Sequence, residues 1–214
     1  MFRPVILGGA AAVLLVTAAT PPAGADDAAP TEKITVDVAT VNGSGCRPGS
    51  AAVAVAPDNT AFTVTYSEYI ARAGGDSPKV DGRKNCQLAL RVNVPQGYTY
   101  AIAQADYRGF GSLQPGAVGI QKASYYFQGM SQTASRTHEF QGPLEDNWQV
   151  TDTADIHALV FAPCGEKRNF NINTELRTDV GTSDLTKESY MALDSTDTSI
   201  SSKYHFSWKK CLTR

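Results

Sequence analysis

The sequence predicts an all-β protein, a single β-sandwich of jelly-roll or Greek-key type with about ten strands and two disulfides. Three observations carry this. Apolar and polar residues alternate with a period of two in at least five segments, clusters of Gly, Pro, Asn and Asp separate these segments, and no stretch reads as an amphipathic helix. Strict alternation puts one face of a strand on a core and the other in water, as an antiparallel sheet does.

Taken in order, the chain starts with Arg3 and an uncharged run from Val5 to Ala19, then Pro21-Pro22 and Ala23-Gly24-Ala25. A basic start, a short apolar stretch and a small-x-small site make residues 1–25 a secretory signal. Fifteen helical residues span roughly 22 Å, short of the roughly 30 Å hydrocarbon core. No later run is long and apolar enough to cross as a helix, so a secreted, extracellular protein is expected, with no membrane segment after signal cleavage. Residues 26–32 read as a flexible lead-in and 33–214 as the β-sandwich domain.

The first strand is marked by Ile34, Val36 and Val38, and the next clear one by Phe62, Val64 and Tyr66. Leu88, Leu90, Val92 and Val94 follow Cys86 on one face. Phe170, Ile172 and Leu176 form a fourth such row, and Tyr204, Phe206 and Trp208 a fifth. Turn signals sit at Asn42-Gly43, Pro57-Asp58-Asn59, Gly74-Gly75-Asp76, Pro95-Gln96-Gly97 and Pro163-Cys164-Gly165. The stretch from Gly109 to Gly119 reads as a flexible surface loop, and residues 179–199, rich in Asp, Ser and Thr, as a solvated one.

Cys46, Cys86, Cys164 and Cys211 are an even set in an exported chain, which argues for two disulfides. Spacing alone leaves three connectivities open. The sequential pairing, Cys46–Cys86 and Cys164–Cys211, is favoured because each pair then closes one half of the chain. A formal charge of −2 disfavours nucleic acid as a partner, since such binders carry a basic excess.

Several segments resemble a known family. They are Gly43-Ser44-Gly45-Cys46 with Gly49-Ser50, Arg83-Lys84-Asn85-Cys86-Gln87-Leu88, Pro95-x-Gly97-Tyr98, Tyr107-Arg108-Gly109, Pro163-Cys164-Gly165, and the closing Trp208 and Cys211. In this order they resemble the domain-of-unknown-function family 4360, exported proteins of actinobacteria and filamentous fungi. The resemblance runs from about residue 34 to 211. It implies export and a small disulfide-bonded domain, and transfers no catalytic residue.

Chemistry-bearing motifs are sparse. There is no G-x-S-x-G elbow, and the histidines are His138, His157 and His205. His138-Glu139 begins like H-E-x-x-H but lacks the second histidine. Asp155 and His157 would share one strand face and are weak metal candidates, though such a group is more often a polar strand start with capping Asp residues. Glu145-Asp146, beside Trp148 in a Gly-Pro stretch, are the carboxylates a secreted hydrolase would use, though adjacent acids in a turn are more often just solvated. No cofactor is expected.

The strongest anomaly is aromatic density. Residues 98–127 hold seven of the chain's 19 aromatics, where even spreading would give about three. Consecutive strand residues point to opposite faces, so Tyr125-Tyr126-Phe127 must put at least one ring away from the core. The expected function is therefore non-enzymatic binding, through a patch centred on Tyr98, Tyr107, Arg108, Tyr125 and Tyr126. The partner would be an extracellular glycan, a cell-wall polymer or a protein; a structural or inhibitory extracellular role is the other reading. Oligomeric state is left open.

Overall fold

A computed structural model describes residues 28–154, 158–193 and 201–212. The expected signal, residues 1–25, lies outside these, as do Asp155 and His157.

Two antiparallel sheets pack face to face and enclose one apolar core. The five-stranded sheet is ordered β1 (Thr35–Asn42), β5 (Arg83–Asn93), β10 (Phe170–Asp179), β7 (Val118–Phe127) and β8 (Ala134–Gln141). The seven-stranded sheet is built on the 16-residue β6 (Tyr98–Leu113). One edge of β6 carries β9 (Leu144–Thr153). Its other edge carries β12 (Ser202–Lys210) over residues 98–107 and the short β11 (Ser189–Ala192) over 110–112. Beyond β12 lie β3 (Ala61–Tyr66) and β2 (Ala51–Val55), and beyond β11 lies β4 (Ile70–Ala73).

The alternating rows behave as period-two patterning requires. Phe62, Val64, Leu88, Leu90, Ile172, Leu176, Tyr204 and Trp208 are all buried between the sheets. Val38 is the departure: an extra residue, Ala39, interrupts its pairing with β5, and the side chain lies exposed on an edge strand. Both disulfides follow the sequential pairing, Cys46–Cys86 and Cys164–Cys211.

Three segments differ from the sequence expectation. Gly109 and Gly111 lie inside β6 rather than in a loop, because Trp148 packs flat on this backbone; a Cβ on Gly109 would come within 2.2 Å of the indole. Only residues 114–117 form the turn to β7. The stretch 179–199 contains β11, whose Met191 is fully buried and is followed by a buried Leu193. Glu145 and Asp146 lie not in a turn but in β9, opposite Ser112 and Gly111.

The lead-in is tied to the domain through Asn59, in the β2–β3 turn. Its Nδ2 donates to the carbonyls of Pro30 and Glu32, both at 2.8 Å, and its Oδ1 accepts from the Ile34 N–H at 3.3 Å. The backbone of Asn59 is left-handed (φ 57°), a conformation Asn tolerates better than most residues. Trp208 Nε1 donates to its carbonyl.

A β-bulge decides which face of β6 points inward. On β12, His205 pairs with Gln104 and Phe206 with Ile102, so Ala103 is an extra residue on β6. Before it, Tyr98, Tyr100 and Ile102 face the core; after it, Ala105, Tyr107, Gly109, Gly111 and Leu113 do. Tyr100 and Tyr107, an odd number of residues apart, thereby reach the same core.

Candidate functional site

The aromatic density resolves mainly into the core. Tyr107 is fully buried, Tyr98 is half-buried with its ring edge-on to Trp208, and Arg108 is exposed on the outer face of the seven-stranded sheet, where its Nε donates to Gln149. Tyr98 and Arg108 are thus apart from the other three. Tyr125 and Tyr126 line one cleft, and Tyr107 sits beneath Tyr125.

That cleft opens between the sheets, where the end of β7 and the start of β8 face the bulge of β6 and the end of β9. It holds about 610 Å3 of empty space, part of it open to solvent. Its walls are mostly apolar, and five alanines (Ala103, Ala105, Ala134, Ala154 and Ala158) line it. Small side chains on facing sheets create the hollow, since larger ones would fill it. Tyr125, Tyr126 and Phe127 form one side, and Arg136, Asp152 and Thr153 supply polar groups.

A hydrogen-bonded chain runs from the core to this cleft. Tyr125 donates to Asp152 Oδ2 at 2.7 Å, and His138 Nε2 meets Asp152 Oδ1 at 2.6 Å. The Tyr125 proton is committed to a carboxylate, so Tyr107 donates to the Tyr125 oxygen and Tyr204 donates to Tyr107. Burial, then the neighbouring Tyr204, then the charge and hydrogen bond of Asp152, pushes the Tyr125 phenol well above its ordinary range. Tyr107 and Tyr204, both fully buried, are pushed up as well, first by burial. Because β8 and β9 belong to different sheets, the His138–Asp152 pair fastens the sheets together at this edge.

A second Asp–His pair lies on the outer face. Asp106 accepts from Thr151, Gln104 and His205 Nε2. Burial raises its pKa, but those bonds outweigh the burial and hold the carboxyl below the usual carboxylate range. Near the same face, Phe110 and Tyr190 place their ring centroids 6.0 Å apart, with the Arg72 guanidinium over Tyr190.

The two carboxylates considered for hydrolysis do not form a groove. Glu145 and Asp146 are consecutive residues of β9, so their side chains leave opposite faces of the sheet. Among the described residues no cluster of three or more His, Cys, Asp or Glu could hold a metal ion.

Sequence reasoning missed Asp152 as the partner of Tyr125, His138 as the partner of Asp152, and Arg136 on the wall of the same cleft. A signal existed: alternation through Ala134–Gln141 places Arg136, His138 and Phe140 on one strand face. In the sequence His138 reads as half of a metal motif, and nothing local singles out Asp152.

Comparison with known proteins gives a relative, a solved structure and a family. An uncharacterized secreted protein of Arthroderma benhamiae is 30% identical over 188 residues, 88% of this chain and 76% of that one. The enzymatically active domain of bacteriophage CBA120 tailspike protein 4 aligns with 88% of this chain and 21% of its own at 12% identity. Its TM-score of 0.23 carries no argument. The protein is secreted, and its two disulfides are consistent with an extracellular location. Residues 32–211 match a family described as Domain of unknown function (DUF4360), and the chain belongs to that family.

Proposed function

We propose that this is a secreted, non-enzymatic binding protein that takes part of an extracellular ligand into the cleft beside Tyr125 and Tyr126. One observation carries the reading: an apolar hollow lined by alanines opens between the sheets, with Tyr126, Arg136 and Asp152 on its walls. Binding sites for small ligands share this character, a mostly apolar concavity with a few placed polar groups. The Tyr125–Asp152–His138 bonds fix one wall of the hollow, so the cavity is preformed rather than assembled on binding.

An extracellular glycan is the second reading, favoured by a different surface. Phe110 and Tyr190 pair on the outer side of the seven-stranded sheet, with Arg72 and Arg108 in the same sheet. Flat rings with hydrogen-bonding neighbours suit stacking against sugars. One experiment separates the two: the oxidised domain is incubated with insoluble chitin, cellulose and peptidoglycan, beside Tyr126→Ala and Phe110→Ala variants. The cleft reading expects no retention that depends on Phe110. Retention lost in Phe110→Ala and kept in Tyr126→Ala would replace it with the glycan reading.

A further inference from the structure

The walls of the cleft carry enough chemistry to name a ligand class, an inference that rests on the cleft being the binding site. We infer that the cleft takes a compact amphipathic acid, with an acyl or aryl body among the alanines and the acid group on Arg136.

Consider first what the hollow excludes. Ile102, Val160, Phe127 and Phe170 join the five alanines on its walls, so a hydrated, hydroxyl-rich body would lose water bonds that these residues cannot replace. An apolar body loses nothing there. The polar end of the ligand must therefore sit where polar side chains are, among Gln104, Gln132, Arg136, Asp152 and Thr153.

The charge preference follows from how those side chains are already engaged. Asp152 is buried, and both of its oxygens are taken, one by His138 and the other by Tyr125. A cationic ligand group would find only the lone pairs that these bonds leave on a carboxylate that is 6% exposed. Arg136 is in the opposite situation. Its Nη1 donates to its neighbouring Ser135 carbonyl at 3.0 Å, and its Nη2 reaches the Thr153 carbonyl only at 3.4 Å. Among the described residues it forms no ion pair, whereas Arg47, Arg72, Arg83, Arg168 and Arg177 each pair with a glutamate. A guanidinium held by main-chain carbonyls on the wall of an apolar hollow keeps N–H donors for a carboxylate or similar anion.

The test is calorimetric titration of the oxidised domain with octanoate and octanamide, which share a body and differ in charge. Phenylacetate and phenylacetamide are the aryl pair. Because Arg136 is exposed, in the wild type the acid of at least one pair is expected to bind about two- to fivefold tighter than its amide, with the gap narrowing as salt rises. Arg136→Gln is expected to erase the gap by weakening the acid more than the amide. Ala134→Trp, at an exposed wall position, is expected to abolish binding of both members. Equal binding of acid and amide in the wild type, lost in Ala134→Trp, would overturn the acid preference and leave the cleft standing. Binding unchanged in Ala134→Trp would overturn the cleft itself, and no binding of any probe at millimolar concentration would overturn the ligand class. Circular dichroism and a thermal melt of each variant confirm that the fold compared is the same.

Discussion

Replacing Asn59 tests the way the lead-in is joined to the domain. Its side chain makes three bonds to main-chain groups 25 to 29 residues away, and the residue is only 4% exposed. At about 0.5–1.5 kcal/mol net for each, removing them costs roughly 2–4 kcal/mol. Asn59→Ala also places a Cβ in the left-handed region without the local bonding that Asn offers, a further cost of about 1 kcal/mol. Asn59→Gly loses the same bonds without that strain, so it should be less damaging than Ala by about 1 kcal/mol. Asn59→Asp keeps the acceptor for Ile34 but aims oxygen at the Pro30 and Glu32 carbonyls. That arrangement raises the folded-state pKa of the new carboxyl. A raised pKa means the stabilising, protonated form is present below the unfolded value near 4 and is lost as pH rises through the folded value. Asn59→Asp should therefore approach the wild type in acid and fall behind it at neutral pH. Urea denaturation with the disulfides intact, at pH 4 and pH 7, measures all three. An alanine variant within about 0.5 kcal/mol of the wild type would refute the reasoning, as would an aspartate variant with no pH dependence relative to it.

Four further outcomes are expected. Removing either disulfide by a Cys→Ala pair should cost about 4 kcal/mol, since the loops of 40 and 47 residues differ little on the chain-entropy model; denaturant midpoints check this. Gly109→Ala should destabilise by about 2 kcal/mol or more, or fail to fold, because its Cβ would meet the Trp148 ring and the Ala192 carbonyl, and a thermal melt reads the loss. Tyr66, Tyr69, Tyr100, Tyr107, Tyr125 and Tyr204 all have raised phenol pKa values, with burial the leading cause. Their stabilisation holds below about pH 10 and drains away above it, so ultraviolet titration should show these six ionising together with alkaline unfolding rather than before it. Asp106 has a lowered pKa, so its contribution is present above about pH 4 and is lost as pH falls through the folded value; the stability gap between wild type and Asp106→Asn should close in acid.

What the sequence shows plainly is whatever a two-residue period can encode. The rows at Phe62, Leu88, Phe170 and Tyr204 each face one core and one solvent layer, so residue type alternates with burial. Strands β8 and β9 hide because they are sheet edges. Ser135-Arg136-Thr137-His138 and Glu145-Asp146-Asn147 are polar on both faces, and only the scattered Phe140, Leu144, Trp148 and Val150 betray contact with the core. Gly109 and Gly111 read as loop because glycine usually means turn, whereas here the missing side chain makes room for an indole. The cleft was half legible. Tyr125 and Tyr126 stood out by breaking alternation, but their partners come from β8 and β9 and meet them only through sheet packing. Tyr107 was misplaced on the surface because local aromatic density does not report which face a ring takes.

The extra residue at Ala103 makes β6 two half-strands joined out of phase. Its inward set changes from even to odd positions there, while β12 beside it keeps one phase throughout. Deleting that single residue would force a choice: either residues 98–102 or residues 104–113 would have to turn over. Turning the second half would carry Gln104, Asp106 and Arg108 inward and Tyr107 outward, burying two charges in place of a phenol. Insertions and deletions should therefore be tolerated in the turns at either end of β6 long before they are tolerated at its middle. Among relatives, the length of this strand should be the most constant length in the domain.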